Sequence, residues 1–106
     1  CLYLWKKGAK MVKRNFHAGK EGEIDIIVFL ENSLRFIEVK TGASRDFSDP
    51  EEWVDKFKEE KIFEASEFFL YEHEEFQDYS CQFDLAAVEV NNGQTQVRYY
   101  ENAFGY

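Results

Sequence analysis

Residues 22–40 read GEIDIIVFLENSLRFIEVK, and the patterning of this stretch decides the fold. Residues 23–30 are rich in β-branched side chains, as are residues 34–40. Glu31-Asn32-Ser33 between them is turn chemistry, so the stretch is expected to form a β-hairpin. Side chains alternate along a strand. Glu23, Asp25, Ile27 and Phe29 therefore share one face with Leu34, Phe36, Glu38 and Lys40. Ile24, Ile26, Val28, Leu30, Ile37 and Val39 share the other and read as core. With Asn32-Ser33 as a two-residue loop, Glu31 pairs with Leu34. Asp25 then stands opposite Lys40 and diagonal to Glu38, and Phe29 meets Phe36 near the turn. Any odd-sum register keeps Asp25 and Glu38 on one face, and a slip of one residue separates them.

That face is apolar at one end and carries carboxylates at the other. Neighbouring carboxylates repel, and one takes up a proton unless something compensates. A hard divalent cation compensates well, because it prefers oxygen ligands. Asp25 and Glu38, with the backbone carbonyl of Val39, would make a Mg²⁺ or Mn²⁺ site. Lys40 would orient or help deprotonate a water there, or meet charge on a phosphate. Pattern alone favours the plainer alternative, solvated carboxylates on an exposed strand face, with Lys40 as an ion-pair partner of Asp25.

Outward from the hairpin, residues 1–8 read as the tail of a helix stopped at Gly8. Residues 9–17 read as a first strand and residues 18–22 as a turn. Residues 41–48 form a polar loop beside the motif. Asp49-Pro50-Glu51-Glu52 has the chemistry of a helix start, and the helix runs to about Phe76, interrupted near Phe57 or continuous. Residues 81–90 and 95–101 are two more strands around an Asn91-Asn92-Gly93-Gln94 turn. The expected order is α-β-β-β-α-β-β, an α/β domain with a central mixed sheet flanked by helices. On the helix, Lys58, Ile62, Ala65 and Phe69 lie on one stripe. The lysine either snorkels to solvent or reaches the carboxylate cluster.

The chain has 106 residues, enough for one domain spanning 1–106. Its net charge of -8 is segregated. Residues 1–45 carry a net +4 and residues 46–106 a net -12. The half with the motif is basic, which suits a local nucleic-acid footprint. The acidity gathers on the long helix, where Glu59, Glu60, Glu64, Glu67, Glu72, Glu74 and Glu75 read as a solvated face. No stretch is apolar enough to span a membrane, and residues 1–10 do not read as a signal peptide. Cys1 and Cys81, without CxxC spacing, fit a reducing cytoplasm. His17 and His73 read as surface residues, Glu23 as a turn-stabilising or outer residue, and Asp84 as structural.

An Asp followed across a hairpin by Glu-x-Lys resembles the PD-(D/E)xK nuclease superfamily. More narrowly, the chain resembles the YraN family of bacterial proteins, which are similar to Holliday-junction resolvases. The resemblance runs through Tyr3-Leu4, Gly8, Arg14-Asn15, Gly22-Glu23-Ile24-Asp25 and Phe36-Ile37-Glu38-Val39-Lys40. It continues through Lys58, Ala65 and Leu70, then Phe83-Asp84, Ala87-Val88 and Glu101-Asn102-Ala103-Phe104. It implies a restriction-endonuclease-like fold, Asp25 and Glu38 as ligands of a Mg or Mn ion, Lys40 as catalytic lysine and Lys58 as a supporting residue. It implies DNA as substrate, with branched DNA a candidate. The family's first helix carries a Gly-Glu pair that would fall before Cys1, so the first helix is expected to be truncated. Two alternatives to a metal-dependent endonuclease follow from the charge distribution. One is a non-catalytic nucleic-acid-binding domain. The other is a protein-interaction module that keeps a nuclease fold and meets a basic partner through its acidic helix. A homodimer suits enzymes that cut branched DNA, but no residue marks an interface.

Overall fold

The computed structural model describes residues 6–18, 22–43 and 56–104. Five strands form one mixed sheet: β1 (Lys10–His17), β2 (Glu23–Leu30), β3 (Ser33–Gly42), β4 (Ser80–Asn91) and β5 (Gln94–Phe104). Their spatial order equals their chain order. Every neighbouring pair is antiparallel except β3 and β4, which run parallel. A parallel neighbour needs a crossover, and helix α1 (Lys56–Glu72) supplies it, followed by a short 3-10 turn at Glu74–Phe76. The expected α/β class and mixed sheet are both present. Of the expected first helix, residues 6–8 fall among the described residues: Lys6 is helical, and Lys7 leads into Gly8, whose left-handed conformation (φ +90°) suits a helix stop. The expected helix start at Asp49-Pro50, and most of the loop after Thr41, lie outside the described residues. From Lys56 onward the helix is continuous through Phe57.

The stripe expected on α1 is the one that packs. Ile62, Ala65 and Phe69 are buried against Phe16, Ile27, Leu34, Phe36 and Phe83 on one face of the sheet. Phe69 meets Phe16 edge-on at 5.2 Å and Phe36 edge-on at 6.1 Å. Among the described aromatics, Phe16, Phe36, Phe69 and Phe83 are buried core, with Phe63 and Phe76 packed against them, while Phe68, Tyr71 and Tyr79 are exposed. The opposite face of the sheet has its own cluster, built from Ala9, Val28, Leu30, Ile37 and Ala86. No described helix is long and apolar enough to cross a membrane.

The hairpin register differs from the expected one. The loop is Glu31-Asn32, with Leu30 paired to Ser33, not Asn32-Ser33 with Glu31 paired to Leu34. Both loop residues take positive φ, 53° and 59°, as a type I′ turn demands. Phe29 pairs with Leu34 and packs on Phe76 and Tyr79, and Phe36 pairs with Ile27. The register sum moves by two and stays odd, so the faces of β2 and β3 keep their expected partners. What changes is the partner of Asp25. Continuing the ladder beyond Ile26 and Ile37 places Asp25 opposite Glu38 instead of Lys40.

One side chain departs from strict alternation. Ile24 packs in the helix-side cluster with Ile27, whereas Ile26, Val28 and Leu30 lie in the other. The cause is local. The paired register of β2 with β3 stops at Ile26, and on the other side Asn15 of β1 adopts a left-handed φ of 48° between the pairs Arg14–Ile26 and Phe16–Ile24. Strict alternation on β2 ends where Asp25 stands.

Candidate metal centre

Where the pairing of β2 with β3 ends, the side chain of Asp25 serves as an acceptor for the backbone of β3. Oδ2 of Asp25 accepts the backbone N–H of Val39 at 2.9 Å, which ties the end of β2 to β3 after the ladder has opened. Glu38 precedes Val39 and points to the helix side. It is only 5% exposed, and its Oε1 lies 2.5 Å from Nζ of Lys58 on α1. The Lys58 side chain is 54% exposed, so it spans from solvent to the carboxylate. Both expectations for this lysine therefore hold at once. Burial pushes the Glu38 carboxyl above its ordinary range. The bond to Lys58 opposes this, and the charge of Asp25 and a hydrogen bond with it add to it.

The structure thus brings together Asp25, Glu38 and Lys58, with the Val39 backbone fixed between the two acids. Lys40 lies on the same sheet face as Glu38, two residues further along β3, paired with Ala87 of β4 and half-buried. It stands beside the pair and not opposite Asp25 as the expected register had it. Among the described residues, no group of three or more His, Cys, Asp and Glu side chains gathers at metal-binding range. Two carboxylates and a carbonyl are the donor set that the described residues offer here.

The remaining polar residues separate into distinct roles. Glu23 bonds His17 across the β1–β2 hairpin at 3.1 Å, with both side chains well exposed. His73 is not a plain surface residue. It stacks on Phe69 with ring centroids 4.0 Å apart, and its Nδ1 lies 2.8 Å from the Phe69 carbonyl oxygen. Asp84 is structural, as expected, and fully buried. It accepts bonds from Gln82 Nε2, the Tyr99 hydroxyl and the backbone N–H of Asn102, and Arg35 Nη1 lies 3.8 Å away. Arg35 Nη1 also donates to Glu101 Oε1 at 2.6 Å. Burial works against the Arg35 charge, but Glu101 and Asp84 outweigh it and its pKa is raised. Sequence reasoning missed this network and also Glu89, a largely buried carboxylate beside Arg98. An arginine in an otherwise apolar strand segment, at Arg35, was the available signal.

Comparison with known proteins places the chain among bacterial relatives. Residues 1–88 match the family described as "Uncharacterised protein family UPF0102". A UPF0102 protein of Francisella tularensis is 34% identical over 105 residues, covering 99% of this chain and 86% of the relative. One from Natranaerobius thermophilus is 34% identical over 104 residues, covering 97% and 87%. One from Caldanaerobacter subterraneus is 39% identical over 89 residues, covering 84% and 71%. With the match spanning most of its length and these identities beside it, the chain belongs to the UPF0102 family, the YraN family that its two motifs resemble.

Proposed function

We propose that this chain is a divalent-metal-dependent nuclease domain acting on DNA. One observation carries the reading: two carboxylates, Asp25 and Glu38, are held side by side where β2 and β3 part, and one of them is buried. A buried acid beside a second acid is electrostatically costly without a counter-charge. Lys58 supplies one charge, and a dication would supply more. The five-stranded mixed sheet with a helical crossover is consistent with a restriction-endonuclease-like fold, which supports the same reading.

The donor set fits a hard cation. Carboxylates of Asp25 and Glu38 and the carbonyl of Val39 are oxygen ligands of the kind Mg²⁺ and Mn²⁺ take, with water completing the shell. When bound, the ion supplies Lewis-acid polarisation of the phosphodiester and a nucleophile at neutral pH. The chain's own residues do the rest. Asp25, anchored by the Val39 N–H, fixes the spacing of the two acids. Lys58 holds Glu38 in place from the helix side. Lys40 offers a positive charge on the same face for the phosphate.

The test is cleavage of labelled linear, single-stranded and four-way-junction DNA in Mn²⁺ and Mg²⁺, with EDTA, Asp25→Asn and Glu38→Gln as controls. Cleavage by the wild type, lost in all three controls, is the expected result. Cleavage surviving Glu38→Gln, or none by the wild type, overturns the reading. A second reading, a non-catalytic DNA-binding domain, is favoured by the presence of only two clustered carboxylates among the described residues. It is the outcome if DNA is retained in a salt-dependent way, without cleavage, and equally by Glu38→Gln.

A further inference from the structure

Nucleic acid approaching Asp25 and Glu38 cannot follow α1 without cost, because Glu59, Glu60, Glu64 and Glu67 lie along it. The sheet offers another direction. Lys40 of β3 pairs with Ala87 of β4, and Ala87 pairs with Arg98 of β5. These three residues form one row across the sheet, on the face that also carries Glu38. The neighbouring row runs Glu38, Leu85, Tyr100. Two strand spacings put the backbones of Lys40 and Arg98 about 10 Å apart. Ala87, between them in the row, is small and buried. Arg98 is the only lysine or arginine after Lys61 in the sequence, and it falls in the row next to the carboxylate pair.

The surroundings of Arg98 are those of a residue kept available. It sits on the edge strand, with its side chain 50% exposed. Glu89, 11% exposed, lies 3.9 Å from its Nη2, at the outer limit of an ion pair. A carboxylate at that distance orients a guanidinium without saturating its five donors, which form a fork matched to a phosphate. We propose that Arg98 is a phosphate-binding residue, taking the DNA backbone on the β5 side of the Asp25/Glu38 pair while Glu89 positions it. This inference rests on the nuclease reading for its substrate class, and it adds a phosphate contact at the β5 edge of the sheet, away from the acidic residues of α1. Neither motif that carries the family resemblance includes Arg98 or Glu89.

The experiment is fluorescence anisotropy of labelled duplex DNA in Ca²⁺, from 50 to 200 mM salt, with wild type, Arg98→Gln, Arg98→Lys, Glu89→Gln and Lys10→Gln. Lys10 is an exposed cation on β1, at the opposite edge of the sheet. One phosphate contact releases about 0.9 counterion, worth about eightfold in affinity at 0.1 M salt. Arg98→Gln should therefore weaken binding about eightfold there and flatten the salt slope by about one. Arg98→Lys should keep most of the slope. Glu89→Gln should tighten binding, because it removes a competitor for the guanidinium. Lys10→Gln should change little. Thermal denaturation of each variant shows whether it is folded. Salt-dependent binding by the wild type with an unaltered slope in Arg98→Gln overturns the subsite alone, as does an equal loss in Lys10→Gln. No salt-dependent binding by the wild type overturns the subsite and the nuclease reading together.

Discussion

Lys58 reaches Glu38 across the gap between α1 and β3, Nζ to Oε1 at 2.5 Å, and so holds a charge against a buried carboxyl whose other neighbour is an acid. An arrangement chosen for stability alone would place an apolar side chain or an amide at position 38. Glu38→Gln is therefore expected to leave the protein, measured in EDTA at pH 7, as stable as wild type or more so, with any loss below about 0.5 kcal/mol. The pH dependence has a definite sign. The folded pKa of Glu38 is raised, mainly by burial, so ionisation opposes folding. The penalty is absent below the ordinary Glu pKa and grows as pH rises through the interval up to the folded pKa. The advantage of Glu38→Gln should accordingly be larger at pH 7 than at pH 4 in thermal melts. A variant clearly less stable at pH 7 contradicts this account.

Removing the other partner has the opposite consequence. Lys58→Met leaves Glu38 beside Asp25 with one positive charge fewer. Because Lys58 is more than half exposed, its share is discounted for solvent screening, and a loss of about 1 kcal/mol is expected. Most of that loss should vanish in a Glu38→Gln background, since only the ionised acid needs the lysine. A double-mutant cycle in urea measures the coupling. Additive effects of the two substitutions would show that the pair does not interact energetically.

Bound Mn²⁺ should do for the acids what Lys58 does alone. Millimolar Mn²⁺ is expected to raise the melting temperature of the wild type, and the rise should disappear in Asp25→Asn, which keeps an acceptor for the Val39 N–H but loses a charge. The measurement needs no substrate, so it separates metal binding from catalysis. An equal rise in both proteins would place the ion elsewhere.

The hairpin and the helix stripe were legible because their signals are local. Alternation fixed which residues of β3 face the helix, and the Lys58, Ile62, Ala65, Phe69 spacing fixed the packed face of α1. The register was displaced because two residues with positive φ are required in the turn, and Glu31 is an unusual occupant of that conformation, whereas Asn32 is a common one. The local rule had favoured Asn32-Ser33. Ile24 crossed to the helix-side cluster because period-two reasoning assumes an unbroken ladder, and the paired register of β2 and β3 ends at Ile26. The network of Arg35, Asp84, Tyr99 and Glu101 joins β3 to the β4–β5 hairpin, with 66 positions separating Arg35 from Glu101, and no spacing rule connects them.

That network makes its own prediction. Asp84 has no exposed surface and accepts four hydrogen bonds, two of them from Gln82. The Asn102 N–H among its donors belongs to a residue at φ 52°, beside the register shift between Phe83 and Leu85. Asp84→Ala takes one of two carboxylates from Arg35, which keeps Glu101, and removes the acceptor of the Tyr99 hydroxyl and the Asn102 N–H, so a loss of about 3 kcal/mol in urea denaturation is expected. Tyr99→Phe, which removes one donor, should cost about 1 kcal/mol. Near-equal, small losses in the two variants would mean that the network contributes little.

Gly22 links the hairpin to the helix that carries Lys58. Its φ is +121°, and a Cβ there would meet the Lys61 carbonyl oxygen at 2.8 Å and the Lys61 Cβ at 3.1 Å. The first is a backbone atom inside α1, so the contact cannot be relieved by a side-chain rotation. Gly22→Ala must shift the start of β2 away from α1 and also bears the strained φ, at a cost of about 1–3 kcal/mol. The shift acts near the site, because Lys61 lies about one helical turn beyond Lys58. Gly22→Ala should therefore lose both stability and part of the Mn²⁺-induced rise in melting temperature, and Gly22→Ser should behave alike. A variant with unchanged melting temperature and an undiminished Mn²⁺ response would show that the close approach of Gly22 to Lys61 sets neither the packing of α1 nor the position of its lysine.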